Sequence, residues 1–359
     1  MKILYLNNVM TVGGVTKCIL KLCKEFQEDI EIVVASHGGQ LLSEFKSMGI
    51  KHYEIYDVEN KNPISISKNV KLLIDIIKNE DIDIVHSHHR MTTLLAKIAS
   101  KFTGVKVIHT QHLCIEDKFK LTKLALNGVE IITVSEAAKR ILHEKSNLDK
   151  KNITTIYNTI EVENEDKNVD SRLIELKKKE YFVVAQVSRI IDYKGVYDFV
   201  EVARKTVKEN NKIRFVLIGD GPEYEPLRRY IKNEGLEEYI YMLGSKNNVI
   251  NHLKYIDLLL LCSYIEGLPL APLEAFSQSI PVIATNIDGT NEEVKDGYNG
   301  FLVEVKDVTS FKNSILKIYQ DKCSLIKLKE NAYKSYCNNF DKEKYIKSHK
   351  EKYINLKCR

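Results

Sequence analysis

The feature that constrains this chain most is an alternation, run through twice, of short apolar segments with amphipathic ones. In the first half the strand-like segments are Ile3–Leu6, Ile30–Ala35, His52–Tyr56, Ile84–His86, Val105–His109 and Ile131–Val134. Helical periodicity fills Val15–Phe26, Leu41–Met48, Ser67–Lys78, Thr92–Phe102, Phe119–Leu126 and Glu136–Glu144. The second half repeats the form, with strands expected at Phe182–Val187, Arg214–Ile218, Ile240–Met242, Asp257–Leu261, Val282–Ala284 and Phe301–Val303. Helices are expected there near Val196–Lys208, Glu223–Asn233, Val249–Leu253, Pro272–Ser277 and Asn291–Val294. A strand covered by helices on both faces carries apolar side chains on both, so these runs predict parallel sheets. The fold class is therefore α/β, with two doubly wound Rossmann-like domains.

The alternation breaks once. From Glu161 to Lys179 the chain is rich in Glu, Lys, Asp and Asn, with little apolar content at first and no strand signal until Tyr181. This predicts a first domain over 1–162, a linker over 163–179 running into a short surface helix, and a second domain over 180–338. The tail from Val308 is helical in pattern, with Phe311, Ile315, Ile318 and Tyr319 at helical spacing. Its last part, 339–359, is expected to be a helix packing back on the first domain.

A length of 359 residues supports two cores, and 44% hydrophobic with 29% charged residues is the balance of a soluble globular protein. A net charge of +5, dispersed over this length, gives no argument for a nucleic-acid partner. Seven scattered cysteines without a Cys-x-x-Cys pair favour reduced thiols over disulfides or zinc. The longest apolar run, Leu258 to Cys262, falls far short of the roughly 20 residues that cross a bilayer. Met1-Lys2 leads straight into a strand-like run with no secretion signal, so a cytoplasmic location is expected. Attachment to a membrane surface stays open through Lys118, Lys120 and Lys123 at a helix start.

In doubly wound sheets ligands bind beyond the carboxyl ends of the strands, so the residues there are the candidates. In the first half the loop after the first strand ends in Gly13-Gly14, which lets the backbone approach a phosphate or sugar; a plain tight turn reads the same way. Ser87-His88-His89-Arg90 and Thr110-Gln111-His112 follow the fourth and fifth strands. No acidic or thiol partner follows His88, His89, His109 or His112 at ligand spacing, so no metal is expected. Hydrogen-bonded structural histidines, or contact with a polyhydroxylated or anionic ligand, remain.

In the second half Ser188-Arg189-Ile190-Ile191-Asp192-Tyr193-Lys194-Gly195 puts two cations at a strand end, where they can neutralise a diphosphate or simply be solvated. Gly219-Asp220-Gly221-Pro222, Gly244-Ser245-Lys246 and Asp288-Gly289-Thr290-Asn291-Glu292 follow later strands. The stretch Ser263 to Phe276 ties Glu266 and Glu274 to a strand end, the loop Gly267-Leu268-Pro269-Leu270 and a helix start. A helix N-terminus there favours an anion, although an ordinary turn with two solvated acids has the same spacing.

Taken together, this ordered set resembles the retaining glycosyltransferases of family four, which have the GT-B fold of two Rossmann-like domains facing a deep interdomain cleft. The resemblance rests on the two glutamates with seven residues between them, Ser188-Arg189-Ile190 with Lys194-Gly195, Gly219 to Pro222, Leu243-Gly244-Ser245 and Gly289 to Glu292. In the first half it rests on Gly13-Gly14-Val15, His112, Thr133 to Glu136 and Tyr157-Asn158. Asp288 stands where the family often has a second glycine, Asn291 where it often has proline, and Cys262 where proline is common.

The resemblance implies transfer of a hexose from a UDP- or GDP-sugar to a glycan or lipid-linked acceptor, in surface polysaccharide or glycolipid synthesis, with no cofactor and no essential metal. It implies an acceptor-binding first domain and a donor-binding second one. Arg189 and Lys194 would hold the donor diphosphate, Glu266 the sugar hydroxyls and Glu274 the ribose. The backbone of Gly267, Leu268, Pro269 and Leu270 would support the donor, with Gly14 approaching its phosphate. His112 would lie near the transferred sugar, and Gly13, Gly14, His88 and Arg90 would serve the acceptor. A GT-B nucleotide-sugar epimerase and a non-catalytic nucleotide-sugar-binding subunit are the alternatives. A dinucleotide dehydrogenase is disfavoured, because no Gly-x-Gly-x-x-Gly follows the first strand.

Overall fold

A computed structural model of the chain describes residues 1–60, 62–114, 117–162 and 169–358. They form two compact units, one of Met1–Asn158 with the chain end from Lys342, the other of Thr159–Asp341. The units thus divide at Asn158, where the sequence reading drew its boundary at 162. Of the expected linker, residues 163–168 lie outside the described residues.

The first unit holds seven strands, β1 (Lys2–Leu6), β2 (Glu31–Ser36), β3 (Lys51–Glu54), β4 (Ile84–Ser87), β5 (Lys106–Gln111), β6 (Glu130–Thr133) and β7 (Ile153–Thr155). They form one parallel sheet in the order β3-β2-β1-β4-β5-β6-β7. Helices α1 (Gly14–Phe26), α2 (Leu42–Ser47), α3 (Pro63–Asn79), α4 (Arg90–Thr103), α5 (Phe119–Leu126) and α6 (Glu136–Glu144) make the crossovers. Six of these strands coincide with expected segments. β7 does not, because Ile-Thr-Thr at a sheet edge is too short to show a period.

The second unit opens with α7 (Ser171–Lys178) and alternates β8 (Phe182–Val187), α8 (Val196–Glu209), β9 (Ile213–Ile218), α9 (Tyr224–Asn233), β10 (Ile240–Gly244) and α10 (Val249–Leu253). It continues through β11 (Leu258–Leu261), α11 (Leu270–Ser277), β12 (Val282–Thr285), α12 (Thr290–Glu293) and β13 (Gly300–Val303), and ends with α13 (Val308–Gln320) and α14 (Lys322–Asn339). Its sheet order is β10-β9-β8-β11-β12-β13. Neighbouring residues of one strand feed opposite faces, as the pleat requires. Leu258 and Leu260 pack with Val184, Phe199 and Phe215, whereas Leu259 and Leu261 pack with Val183, Ala275 and Phe276.

In each sheet the strand order reverses once, between β1 and β4 and between β8 and β11. The loops after such a pair lead away in opposite directions and leave a crevice between them. This places the loop after Leu6 beside His88, and the loop after Val187 beside Ser263 to Glu266.

The last helix, α15 (Lys342–Lys357), belongs to the first unit. Tyr345, His349 and Tyr353 recur every fourth residue and are buried along one face. Tyr353 meets Phe26 edge to face, with ring centroids 5.7 Å apart. Burying a large side chain is worth about 1.5–3 kcal/mol, against about 0–1 for an exposed ion pair such as Lys350–Asp29. The aromatic stripe, not the lysine-rich face, holds this helix.

Candidate active site

In the first unit α1 starts directly after the glycine pair. Gly13 has extended backbone, and a Cβ built on it would meet nothing within 4 Å. The protein itself does not need a glycine there, and the space over this helix start is open.

Beyond β4 and β5 the histidines divide into separate arrangements. His88 Nδ1 lies 2.9 Å from His112 Nε2 with the rings stacked, and His88 stacks in turn on His86 at 4.2 Å between centroids. His109 is held instead by Thr93 and Gln111, and His89 is turned to Glu59. The four histidines weighed as metal ligands are thus not brought to one point, and no His/Cys/Asp/Glu cluster able to hold a metal occurs among the described residues. Arg90 donates to Thr122 at 2.9 Å and to Asp117 at 3.3 Å. Burial pushes His86 and His88 far below the usual histidine range, and His109 and His112 down to about 4 and about 3, with the neighbouring histidines adding to the shift. His112 keeps some accessible surface, and for it too the direction is toward the neutral ring.

In the second unit β11 delivers the chain to the loop that carries Glu266. This carboxylate is only 3% exposed, and Lys194 Nζ donates to its Oε1 at 2.6 Å. Burying a lone carboxylate costs several kcal/mol, so the lysine is what makes this position tolerable. The approach depends on Gly195. Its φ is +63°, and a Cβ there would come within 1.9 Å of Cys262 O. Tyr264 N donates to Tyr193 O at 2.8 Å and completes the lacing of the two loops. Gly289 likewise lies against Gly267, where a Cβ would be 2.3 Å from its carbonyl oxygen.

Glu274 sits one turn into α11 and is also buried. The reading of two solvated acids is therefore wrong for both glutamates. Pro269 occupies the N-cap of α11 without a side-chain cap and has no N–H, so backbone donors in this loop are confined to Gly267, Leu268 and Leu270. Arg189 is exposed and makes no ion pair among the described residues.

The glycine-turn motif that ends at Glu292 stops short of Glu293. The latter is 1% exposed, with both carboxyl oxygens lacking a hydrogen-bond partner among the described residues. Burial first, then the charges of Glu266 and Glu292, pushes its pKa well up, which favours the protonated form. Neither spacing nor residue type distinguishes it from Glu292 in the sequence, because adjacent residues of a surface helix can both be solvated.

The second half of the chain, residues 169–335, matches the family profile described as Glycosyl transferases group 1, and residues 12–164 match Glycosyltransferase Family 4. The chain is 33% identical over 317 residues, 82% of its length and 81% of the relative's, to UDP-Gal:alpha-D-GlcNAc-diphosphoundecaprenol alpha-1,3-galactosyltransferase of Escherichia coli. It is 27% identical over 328 residues, 87% of this chain and 84% of the other, to N-acetyl-alpha-D-glucosaminyl L-malate synthase of Bacillus anthracis. The Anabaena HepE structure in complex with UDP-glucose matches with a TM-score of 0.86 at 19% identity, covering 99% of this chain and 100% of that one, a likeness of fold. With both sheets and both halves of the sequence accounted for, the chain belongs to the group 1 glycosyl transferases and is a glycosyltransferase with the GT-B fold.

Proposed function

We propose that this glycosyltransferase moves a hexose from a nucleotide-diphosphate sugar to a hydroxyl of a lipid-linked or glycan acceptor, with retention of configuration, in bacterial surface polysaccharide or glycolipid synthesis. The observation that carries this reading is the buried Lys194–Glu266 pair, with exposed Arg189 on the same loop as Lys194, where strand order reverses in the second sheet. Cations fixed there offset the charge of a departing diphosphate without reorganisation at the moment of reaction. Glu266 hydrogen-bonds sugar hydroxyls, Glu274 the ribose, and the N–H groups of Gly267, Leu268 and Leu270 support sugar and phosphate. From the first unit Gly14 approaches the phosphate, His112 faces the sugar, and Gly13 and Arg90 serve the acceptor. No side-chain nucleophile is assigned, and the donor phosphate takes the acceptor proton. UDP is the favoured nucleotide of the donor and a lipid diphosphate the favoured acceptor, because the Escherichia coli relative is named for both.

Titration with UDP and GDP, followed by hydrolysis and transfer assays on their hexoses, tests this. UDP binding should weaken about tenfold or more in Glu274→Ala, the loss of a charge-assisted hydrogen bond. No nucleoside-diphosphate binding and no turnover with any donor would overturn it.

Association with the membrane surface is part of the same proposal. No helix among the described residues is long and apolar enough to cross a membrane. Lys118, Lys120 and Lys123 are exposed at α5 together with Leu124, a basic and apolar combination that suits anionic lipid. Co-sedimentation with phosphatidylglycerol vesicles at low salt should be lost when the three lysines become glutamates; equal sedimentation of both proteins would dismiss the idea.

A further inference from the structure

A line of aromatic side chains runs inside the first unit from α15 to the crevice beside β4. Tyr353 Oη lies 3.1 Å from Tyr5 Oη and 2.7 Å from His86 Nδ1, and Thr110 Oγ1 lies 2.7 Å from His86 Nε2. His86 stacks on His88, and His88 Nδ1 meets His112 Nε2 at 2.9 Å. His88 is 6% exposed, and its Nε2 is buried without a hydrogen-bond partner among the described residues.

That unpartnered nitrogen decides the direction of the His88–His112 hydrogen bond. Burial keeps both rings neutral, so each carries one proton, and one of the two facing nitrogens donates. If His112 Nε2 donated, the His88 proton would sit on Nε2 as a buried N–H with nothing to accept it. If His88 Nδ1 donates, the buried Nε2 is only a bare acceptor. Orphaned buried N–H groups are the rarer and costlier arrangement. The neutral His112 ring then accepts at Nε2 and carries its proton on Nδ1. This Nδ1 has no hydrogen-bond partner among the described residues and is not buried.

We propose that His88 is a positioning residue whose Nδ1–H holds His112 in the Nδ1–H tautomer, so that His112 presents a hydrogen-bond donor to an oxygen of the bound sugar or diphosphate. It rests on the reading that His112 faces the donor sugar. In this tautomer His112 steadies an oxygen and does not act as a general base. His88, buried against His86, reaches the ligand only through His112.

The test uses the full chain in three forms: wild type, His88→Asn and His88→Gln. The asparagine amide N–H stands where the His88 Nδ1–H was, whereas the glutamine amide reaches the position of Nε2. In the wild-type ¹⁵N spectrum His112 should show a pyrrole-type Nδ1 and a pyridine-type Nε2, a result that needs no substrate and no folded variant. His88→Asn should keep that pattern and most of the kcat for UDP release from UDP-galactose. His88→Gln should lose the pattern and about tenfold in kcat, the worth of one such hydrogen bond, with KM little changed. A pyridine-type Nδ1 on wild-type His112, or equal kcat in the two variants, would overturn the proposal. His112→Ala with unchanged UDP release would instead remove the functional reading of His112, while the wild-type spectrum would still judge the hydrogen bond.

Discussion

Lys194 and Arg189, read together as a cation pair, behave differently at the level of single residues. Lys194 is committed to Glu266 in a pair whose side chains are 16% and 4% exposed, whereas Arg189 is exposed and makes no ion pair among the described residues. Removing one partner of a buried pair strands the other charge and typically costs about 3–5 kcal/mol. An exposed side chain with no partner is usually worth less than about 0.5. Lys194→Ala should therefore lower the unfolding free energy by about 3 kcal/mol in urea titration. Arg189→Ala should leave it nearly unchanged, and both should weaken UDP binding. A loss in Lys194→Ala as small as that in Arg189→Ala would mean that Glu266 finds another partner or protonates at little cost.

Elements explain how much of this was legible in the sequence. Buried parallel strands leave unbroken apolar runs such as Leu258 to Leu261, so nearly every strand could be placed, and β7 escaped because three residues at an edge carry no period. Glu266 and Glu274 were found by their spacing around a strand end and a helix start. Their burial was not legible, because the partner that permits it at Glu266 lies 72 residues away and arrives only when Gly195 lets one loop touch another. The same holds for the histidines beyond β4. Strand-end position singled out His88, but the bond from His86 to Tyr353 spans 267 residues and depends on a helix from the chain end. The recurrence of Tyr345, His349 and Tyr353 was available as a signal that this helix buries one face.

At the scale of the whole molecule the chain leaves the first unit at Asn158 and returns to it at Lys342, and the two units carry buried titratable groups of opposite sign. In the first, burial holds His86, His88, His109, His112 and His349 neutral, with His109 and His349 at about 4 and His112 at about 3. Their folded pKa values lie below the unfolded value of about 6.5, so the unfolded chain binds protons first as pH falls. The stability they support is complete above about pH 6.5 and is lost below it, by at most about 1.4 kcal/mol per pH unit for each group. In the second unit Glu293 has its pKa raised by burial, and there the sign reverses. Its contribution is complete below the usual carboxylate range and is lost as pH rises from there, because the unfolded chain ionises while the folded one stays protonated. Hydrogen exchange read peptide by peptide and corrected for intrinsic rates separates the two. Between about pH 7 and about pH 5, protection should fall in peptides from 1–158 and 342–358 more than in those from 169–341. Glu293→Gln should raise protection of the second unit at about pH 8 and leave it unchanged at about pH 3, below the unfolded glutamate value of about 4.3, where wild-type Glu293 is protonated in both states. A uniform loss of protection on acidification would show that the buried histidines are not what limits the first unit, and a Glu293→Gln effect independent of pH would show that its carboxyl is ionised in the fold.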